Sequence, residues 1–306
     1  MILDLWIPAR VNEERREVLA RVATLHDYPT EDGGSERLGR GAFLVSDHDV
    51  RSALAAIPRI EGLQVVQTLS AGVDRIVGRL PAGVTLCNAS GVHDIGVAEW
   101  IVMAILASER SLAELFAAQV AGHWDRSGIR GGELAGSTVL ILGHGSIGVA
   151  LEQRLAPFGA EFIRVARTPR DGVDPLPALS GLLPRADVVV VLLPLTPETR
   201  GLVDADFIGR MKPLALLVNA SRGAIVDTDA LLGALRDGRI RAALDVTEPE
   251  PLPDGHPLWT APGVLITPHI AGDVRGEEDR AWAFVAEQVG RFARGEPLAN
   301  VVVDGY

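Results

Sequence analysis

The sequence predicts an α/β protein with two doubly wound parallel-sheet domains. Three observations predict it. Short apolar strands alternate with helical patterns over nearly all of its 306 residues. From Thr138 onward the alternation becomes regular, with six strand-like runs separated by helical segments. One of those runs, Thr138–Leu142, opens directly into the glycine pattern of LILGHGSIG at 140–148 and then a helix-like segment, Ile147–Pro157.

In the first third, strands are expected at Ile2–Ile7, Ala42–Val45, Val65–Thr68 and Val84–Cys87, with helices at Asn12–Thr24 and Val50–Ala56. A single long helix is expected over Gly96–Ala121, long enough to bridge two domains or to form a subunit interface. The strands of the second part are Thr138–Leu142, Glu161–Val165, Val188–Leu192, Ala215–Asn219, Arg241–Asp245 and Val264–Thr267. Stretches 171–177 and 249–257, rich in Gly and Pro, read as loops. A last helix spans about Glu277–Arg294, and the tail Val301–Tyr306 is expected to return to the first domain. The predicted division is 1–95 with 275–306, and 96–274, with a ligand cleft between them at the carboxyl ends of the strands.

Composition narrows the function classes. With 29 basic and 40 acidic residues, the net charge is −11. That argues against nucleic acid and anionic membranes as partners, so an anionic substrate must be drawn by local arginines. The one cysteine, Cys87, excludes an internal disulfide and a cysteine metal cluster, and its strand setting reads as a core thiol. Lys212 is the single lysine, which disfavours Schiff-base chemistry. No apolar run spans a bilayer, and the N-terminus carries no leader pattern, so the expected location is cytoplasmic. The histidines other than His269 show no metal-ligand spacing.

The glycine pattern sits in the strand–turn–helix setting that dinucleotide binding requires. Gly143 permits the tight turn, Gly145 lets a pyrophosphate approach the backbone, and Gly148 lets helix and strand close up. The N–H groups at Ser146, Ile147 and Gly148 then face the pyrophosphate. At the end of the next strand, an acidic residue would bind the ribose 2′-hydroxyl. Here Ala166 stands in that place, followed by Arg167, Thr168 and Arg170. A repelling carboxylate is missing, and two guanidinium groups are available for a 2′-phosphate. NADP(H) is therefore the expected cofactor, with NAD as the alternative.

Three later segments each follow a strand: NASRGAIVD (219–227), LDVTEPEPLP (244–253) and ITPHIAG (266–272). They bring an arginine, carboxylates and an imidazole to one edge of the sheet. Reduction of a 2-oxo acid needs such a set. Arginine holds the carboxylate or ketone oxygens, histidine gives a proton near neutral pH, and a nearby carboxylate orients the imidazole and favours its protonated form.

The whole chain resembles the D-isomer-specific 2-hydroxyacid dehydrogenase family. The resemblance runs through LSAGVD (69–74), GVHDIGVAEWIVMAILA (91–107), the glycine pattern, LPLTPETRGL (193–202), NASRGAIVD, the DVTEPEP loop and TPHIAG. It implies a Rossmann nucleotide-binding domain beside a flavodoxin-like substrate domain. It implies Arg222, Glu250 and His269 as catalytic residues, and Ser70, Ala71, Gly72 and Val73, with Arg222, as the substrate-carboxylate site. Cofactor contacts are implied at Gly143, His144, Gly145, Ser146, Ile147, Gly148, Arg167, Thr168, Arg170, Leu193, Pro194, Thr199, Asn219, Ala220, Ser221, Arg222, Asp245, His269, Ala271 and Gly272. His144 replaces a more usual leucine or tyrosine, and its side chain is expected to face the adenosine edge. Thr247 replaces a common aromatic residue. The segment Arg167-Thr168-Pro169-Arg170 is similar to that of NADPH-using glyoxylate and hydroxypyruvate reductases, which makes a small 2-oxo acid the expected substrate partner, and the family resemblance implies a homodimer through the 96–121 helix. No regulatory domain follows residue 306, which lowers the expectation of an extended phosphoglycerate dehydrogenase. The rival readings are an NAD-dependent phosphoglycerate, phenylpyruvate or phosphite dehydrogenase of the same family, a dinucleotide-sensing corepressor-like member, and a methyltransferase sharing the glycine pattern.

Overall fold

A computed structural model describes residues 3–29, 36–124 and 131–303. The Cα framework divides into two units, Met1–His93 with Arg275–Tyr306, and Asp94–Val274.

In the first unit five parallel strands form one sheet: β1 (Leu3–Pro8), β2 (Ala23–Tyr28), β3 (Phe43–Ser46), β4 (Val65–Thr68) and β5 (Thr85–Cys87). Their order, β2-β1-β3-β4-β5, is the flavodoxin-like doubly wound order. Both faces are apolar because successive side chains alternate sides. Leu5, Ile7, Phe43 and Val45 pack with Trp282, Val285 and Val289 of the last helix, Glu277–Ala293. Trp6, Leu44 and Val66 face the opposite way, toward Ala53 and Ile57. Cys87 is fully buried, and burial pushes its thiol pKa up to about 11, which suits a core residue and not a nucleophile.

The second unit carries seven parallel strands: β6 (Thr138–Leu142), β7 (Glu161–Ala166), β8 (Asp174–Pro175), β9 (Val188–Val191), β10 (Leu216–Asn219), β11 (Arg241–Leu244) and β12 (Val264–Ile266). The order β8-β7-β6-β9-β10-β11-β12 reverses direction between β6 and β9, the switch point at which such sheets bind ligands. The all-valine β9 shows why the sheet lies between two helical layers. Val189 and Val191 enter one core, and Val188 and Val190 enter the other. The second core is closed by two helices, Asp94–Glu109 and Ser146–Leu155, that pack on each other.

Three expectations need correction. The first helix stops at Ala20, and a strand, β2, begins at Ala23, inside the run assigned to helix. The helix expected over Gly96–Ala121 is two helices, Asp94–Glu109 and Leu112–Val120, parted at Ser111, whose φ of 48° is left-handed. The cause is tertiary. Arg241 donates to the Ser108 carbonyl at 3.1 Å and to the Glu109 carboxylate at 2.6 Å, holding the end of the first helix to β11. The stretch 171–177, read as loop, contributes β8 at the sheet edge, so the strands number seven and not six. Ile2 of the first expected strand and residues 304–306 of the tail lie outside the described residues. Val302 does return to its own unit, donating its N–H to the Leu86 carbonyl at 2.8 Å. Among the described residues no helix is long and apolar enough to cross a membrane.

Candidate active site

The glycine loop is anchored on two strands. The N–H groups of Gly143 and His144 donate to the Val165 carbonyl at 2.8 and 3.0 Å, so the loop lies against the end of β7. Gly143 has φ 105°, and a Cβ there would come within 2.6 Å of the Leu192 backbone. A Cβ on Gly148 would press on the Gly143 carbonyl and on Ile141 at 3.2 Å. Both glycines are therefore required by the protein itself. Gly145 differs: a Cβ there would meet no atom within 4 Å. It begins the helix Ser146–Leu155 with no side-chain cap, so first-turn N–H groups such as those of Ile147 and Gly148 are available to an anion. A cradle that a side chain would fill, at an uncapped helix start on the switch point, fits a dinucleotide pyrophosphate.

Arg167, Thr168 and Arg170 are exposed just beyond β7. His144 follows the turn at Gly143. It is buried, at 7% exposure, with Nε2 2.9 Å from Glu152 Oε2 and Nδ1 3.1 Å from Arg170 Nη2. Glu152 and Arg170 thus give both ring nitrogens of this buried imidazole a polar partner.

The acid–base residues come together. His269 Nδ1 lies 2.6 Å from Glu250 Oε1. A carboxylate only accepts, so Nδ1 carries the hydrogen and Nε2 is left as the atom that can exchange a proton. His269 holds a left-handed φ of 56°, unusual for a non-glycine residue. Its loop accounts for it. Asp245, 3% exposed, accepts from Thr267 Oγ1 at 2.6 Å and Ile270 N at 2.9 Å with one oxygen, and from Ala271 N at 2.9 Å with the other. The His269 N–H donates to the Asp245 carbonyl at 2.7 Å. Asp245, expected as a cofactor contact, has both carboxylate oxygens engaged in folding the 267–271 loop. Behind it, Ala271 and Val274 lie close against Gly96, where a Cβ would meet the Ala271 carbonyl at 3.2 Å.

Arg222 stands after β10, its Nη1 donating to the Ser221 carbonyl at 2.8 Å. Asn219 shapes that turn, accepting from Ser221 N and Oγ and donating to the Arg222 carbonyl at 2.9 Å. The next residue, Gly223, touches the loop that carries Glu250. A Cβ there would sit 1.9 Å from the Thr247 carbonyl oxygen. The arginine loop and the glutamate loop are thus in backbone contact, and Thr228 Oγ1 adds a 2.7 Å bond to the Glu248 carbonyl. Leu193, Pro194 and Thr199 form the loop after β9. Thr199 is buried and bonds the Pro194 carbonyl at 2.7 Å, so Thr199 and Asn219 hold loops with side chains that were expected to meet cofactor. Ala220 and Gly272 sit in the loops after β10 and β12.

The loop 69–73 of the other unit, taken by itself, turns its carbonyls inward. Leu69, Ser70, Ala71 and Gly72 accept from His93, Ala89, Asn88 and the Ser70 hydroxyl respectively. Among the described residues, no acceptor meets the N–H groups of Ala71 and Gly72. Such a concave backbone suits a carboxylate.

Sequence reasoning missed Gly223, Thr267, Glu152 and Arg164 as parts of this machinery. The glycine after Arg222 and the threonine before Pro268 were visible signals. The Glu152–Arg164 pair, twelve residues apart on different elements, had none.

Comparison with known proteins agrees with this layout. The D-isomer specific 2-hydroxyacid dehydrogenase, NAD binding domain, matches residues 102–271. D-3-phosphoglycerate dehydrogenase of Mycobacterium leprae is 38% identical over 82% of this chain, which spans only 49% of that relative, about half its length. Glyoxylate reductase/hydroxypyruvate reductase of Homo sapiens is 33% identical, covering 98% of this chain and 97% of its own. The crystal structure of a D-isomer specific 2-hydroxyacid dehydrogenase from Xanthobacter autotrophicus Py2 in complex with NADPH and MES superposes with a TM-score of 0.85 at 31% identity, covering 100% of both chains. The chain belongs to the D-isomer specific 2-hydroxyacid dehydrogenase family.

Proposed function

We propose that this protein is an NADPH-preferring reductase that converts small 2-oxo acids, of the glyoxylate or hydroxypyruvate kind, to D-2-hydroxy acids. The observation that carries the reading is the 2.6 Å His269–Glu250 pair on a loop in backbone contact with that of Arg222. NADPH, when bound, supplies the hydride. Arg222 binds the substrate's carboxylate or ketone oxygens through its planar fork. Glu250 orients the imidazole, and His269 donates the proton from Nε2 to the ketone oxygen as it becomes a hydroxyl. Gly145 and the first turn of the helix Ser146–Leu155 hold the pyrophosphate. Arg167, with Arg170, takes the 2′-phosphate where Ala166 offers no repelling carboxylate. The human relative's glyoxylate reductase name and the NADPH held by the Xanthobacter protein support this reading.

A homodimer through the 96–121 region and a cytoplasmic location belong to the same proposal. Leu112, Phe116 and Val120 are exposed on the helix Leu112–Val120 and support the first. The 38% identity to the mycobacterial phosphoglycerate dehydrogenase favours a second reading, an NAD-dependent phosphoglycerate dehydrogenase. A panel of 2-oxo acids and of 3-phosphoglycerate, followed by nicotinamide absorbance with each coenzyme, separates the two. Glyoxylate or hydroxypyruvate turnover at least about tenfold faster with NADPH supports the first reading. A tenfold advantage for NADH with phosphoglycerate selects the second. Tight NADPH binding without turnover on any substrate selects a sensing, corepressor-like role.

A further inference from the structure

Four side chains form a chain of contacts beneath the arginine segment. Arg164 of β7 grips both oxygens of Glu152, one contact being Nε to Oε2 at 2.7 Å. Glu152 Oε2 meets His144 Nε2 at 2.9 Å. His144 Nδ1 and the His144 carbonyl both face Arg170 Nη2, at 3.1 and 2.7 Å. The partners assign the protons. Glu152 is ionised, its pKa held below the usual carboxylate range first of all by the Arg164 guanidinium, so it can only accept and Nε2 must carry the hydrogen. An arginine can only donate, so Nδ1 must offer its lone pair. The imidazole is then neutral and bridges a carboxylate to a guanidinium. Arg170 itself is exposed, and its Nε and Nη1 have no partner among the described residues.

We propose that His144 is a positioning residue for coenzyme choice: it fixes one end of the Arg170 guanidinium so that the remaining donors are pre-set for a 2′-phosphate. An unrestrained arginine loses more rotamer freedom than most side chains when a ligand immobilises it, and fixing it beforehand removes that loss. The inference rests on the NADPH reading above. It adds that the second residue of the glycine pattern acts on selectivity through Arg170 and not through the adenosine edge.

The test uses the full chain, titrated with NADPH and with NADH by nicotinamide fluorescence, for wild type, His144→Leu and His144→Asn. Asparagine places an acceptor near the Nδ1 position, and leucine places none. His144→Leu is expected to weaken NADPH about tenfold and NADH less than about twofold, and His144→Asn to hold NADPH within about threefold of wild type. A purely structural role weakens both coenzymes alike, because both use the same glycine loop. Equal losses, or an unchanged ratio, in a wild-type background that prefers NADPH overturn this inference alone. So does an asparagine variant as impaired as the leucine one. A wild type without NADPH preference overturns the functional reading and this inference together. Should His144→Leu not fold, Glu152→Gln carries the same expectation at about two- to threefold in the ratio, and an unchanged ratio there is equally fatal.

Discussion

The loops that carry Arg222, Glu250 and His269 and the segment that carries Arg167 and Arg170 are built on opposite plans. Around His269 the scaffold is backbone: two N–H groups and a hydroxyl converge on buried Asp245, and Gly223 lies directly on the Thr247 carbonyl. The working side chains project from that frame and take little part in holding it. Around Arg170 the scaffold is side chain on side chain, Arg164 to Glu152 to His144 to the arginine itself. Working group and support are the same objects there. The first plan lets a reactive residue be removed with the frame intact. The second makes each change a graded shift in preference.

The comparison can be broken at several points, and the largest effect belongs to the first plan. His269→Ala is expected to cut kcat by roughly 10² or more with NADPH affinity nearly unchanged. Stopped-flow turnover and a coenzyme titration check it, and lost coenzyme binding would mean that the imidazole is part of the frame after all. Asp245→Ala attacks the frame itself and strands three donors. It is expected to cost about 2–4 kcal/mol in urea unfolding, with activity falling as the 267–271 loop loosens. A variant as stable as wild type would show that the loop does not need its buried carboxylate.

In the second plan, Arg167→Ala is expected to weaken NADPH by about 1–3 kcal/mol and to leave NADH almost untouched. Equal losses for both coenzymes would remove the phosphate assignment. The smallest effect is on acid stability. Glu152 has a folded pKa below its ordinary value because Arg164 donates to it. Its contribution is therefore complete above the unfolded glutamate pKa and is lost as pH falls through the lower folded one. The stability gap between wild type and Glu152→Gln is expected to be constant from neutral pH down to about 5 and to close below about 4, read from urea midpoints across that range.

Legibility in the sequence followed the same division. Apart from β8, the strands from Thr138 to Ile266 were placed within about a residue, because buried parallel strands are short unbroken apolar runs between turn residues. The positions of Arg222, Glu250 and His269 in loops after strands were legible because each lies in a distinctive local motif that follows such a strand. What escaped depends on distant residues. The break at Ser111 is imposed by Arg241, and nothing between Glu109 and Leu112 announces it. Strand β2 was lost because the apolar spacing of Asn12–Ala20 runs on past Val22 without a glycine or proline to stop it. The contacts of His144 were not legible because its partners, Glu152 and Arg170, lie eight and twenty-six residues away, and only the fold brings them to one ring.

The missing side chain at residue 223 has an implication for redesign. Because two turns of main chain interlock there with no room for even a methyl group, the guanidinium and the acid–base pair are geared to each other. Neither turn can be shortened, rebuilt or swapped for that of another enzyme by itself. A graft that takes one without its counterpart arrives with the teeth out of mesh, so the pair should be transplanted as a single cassette.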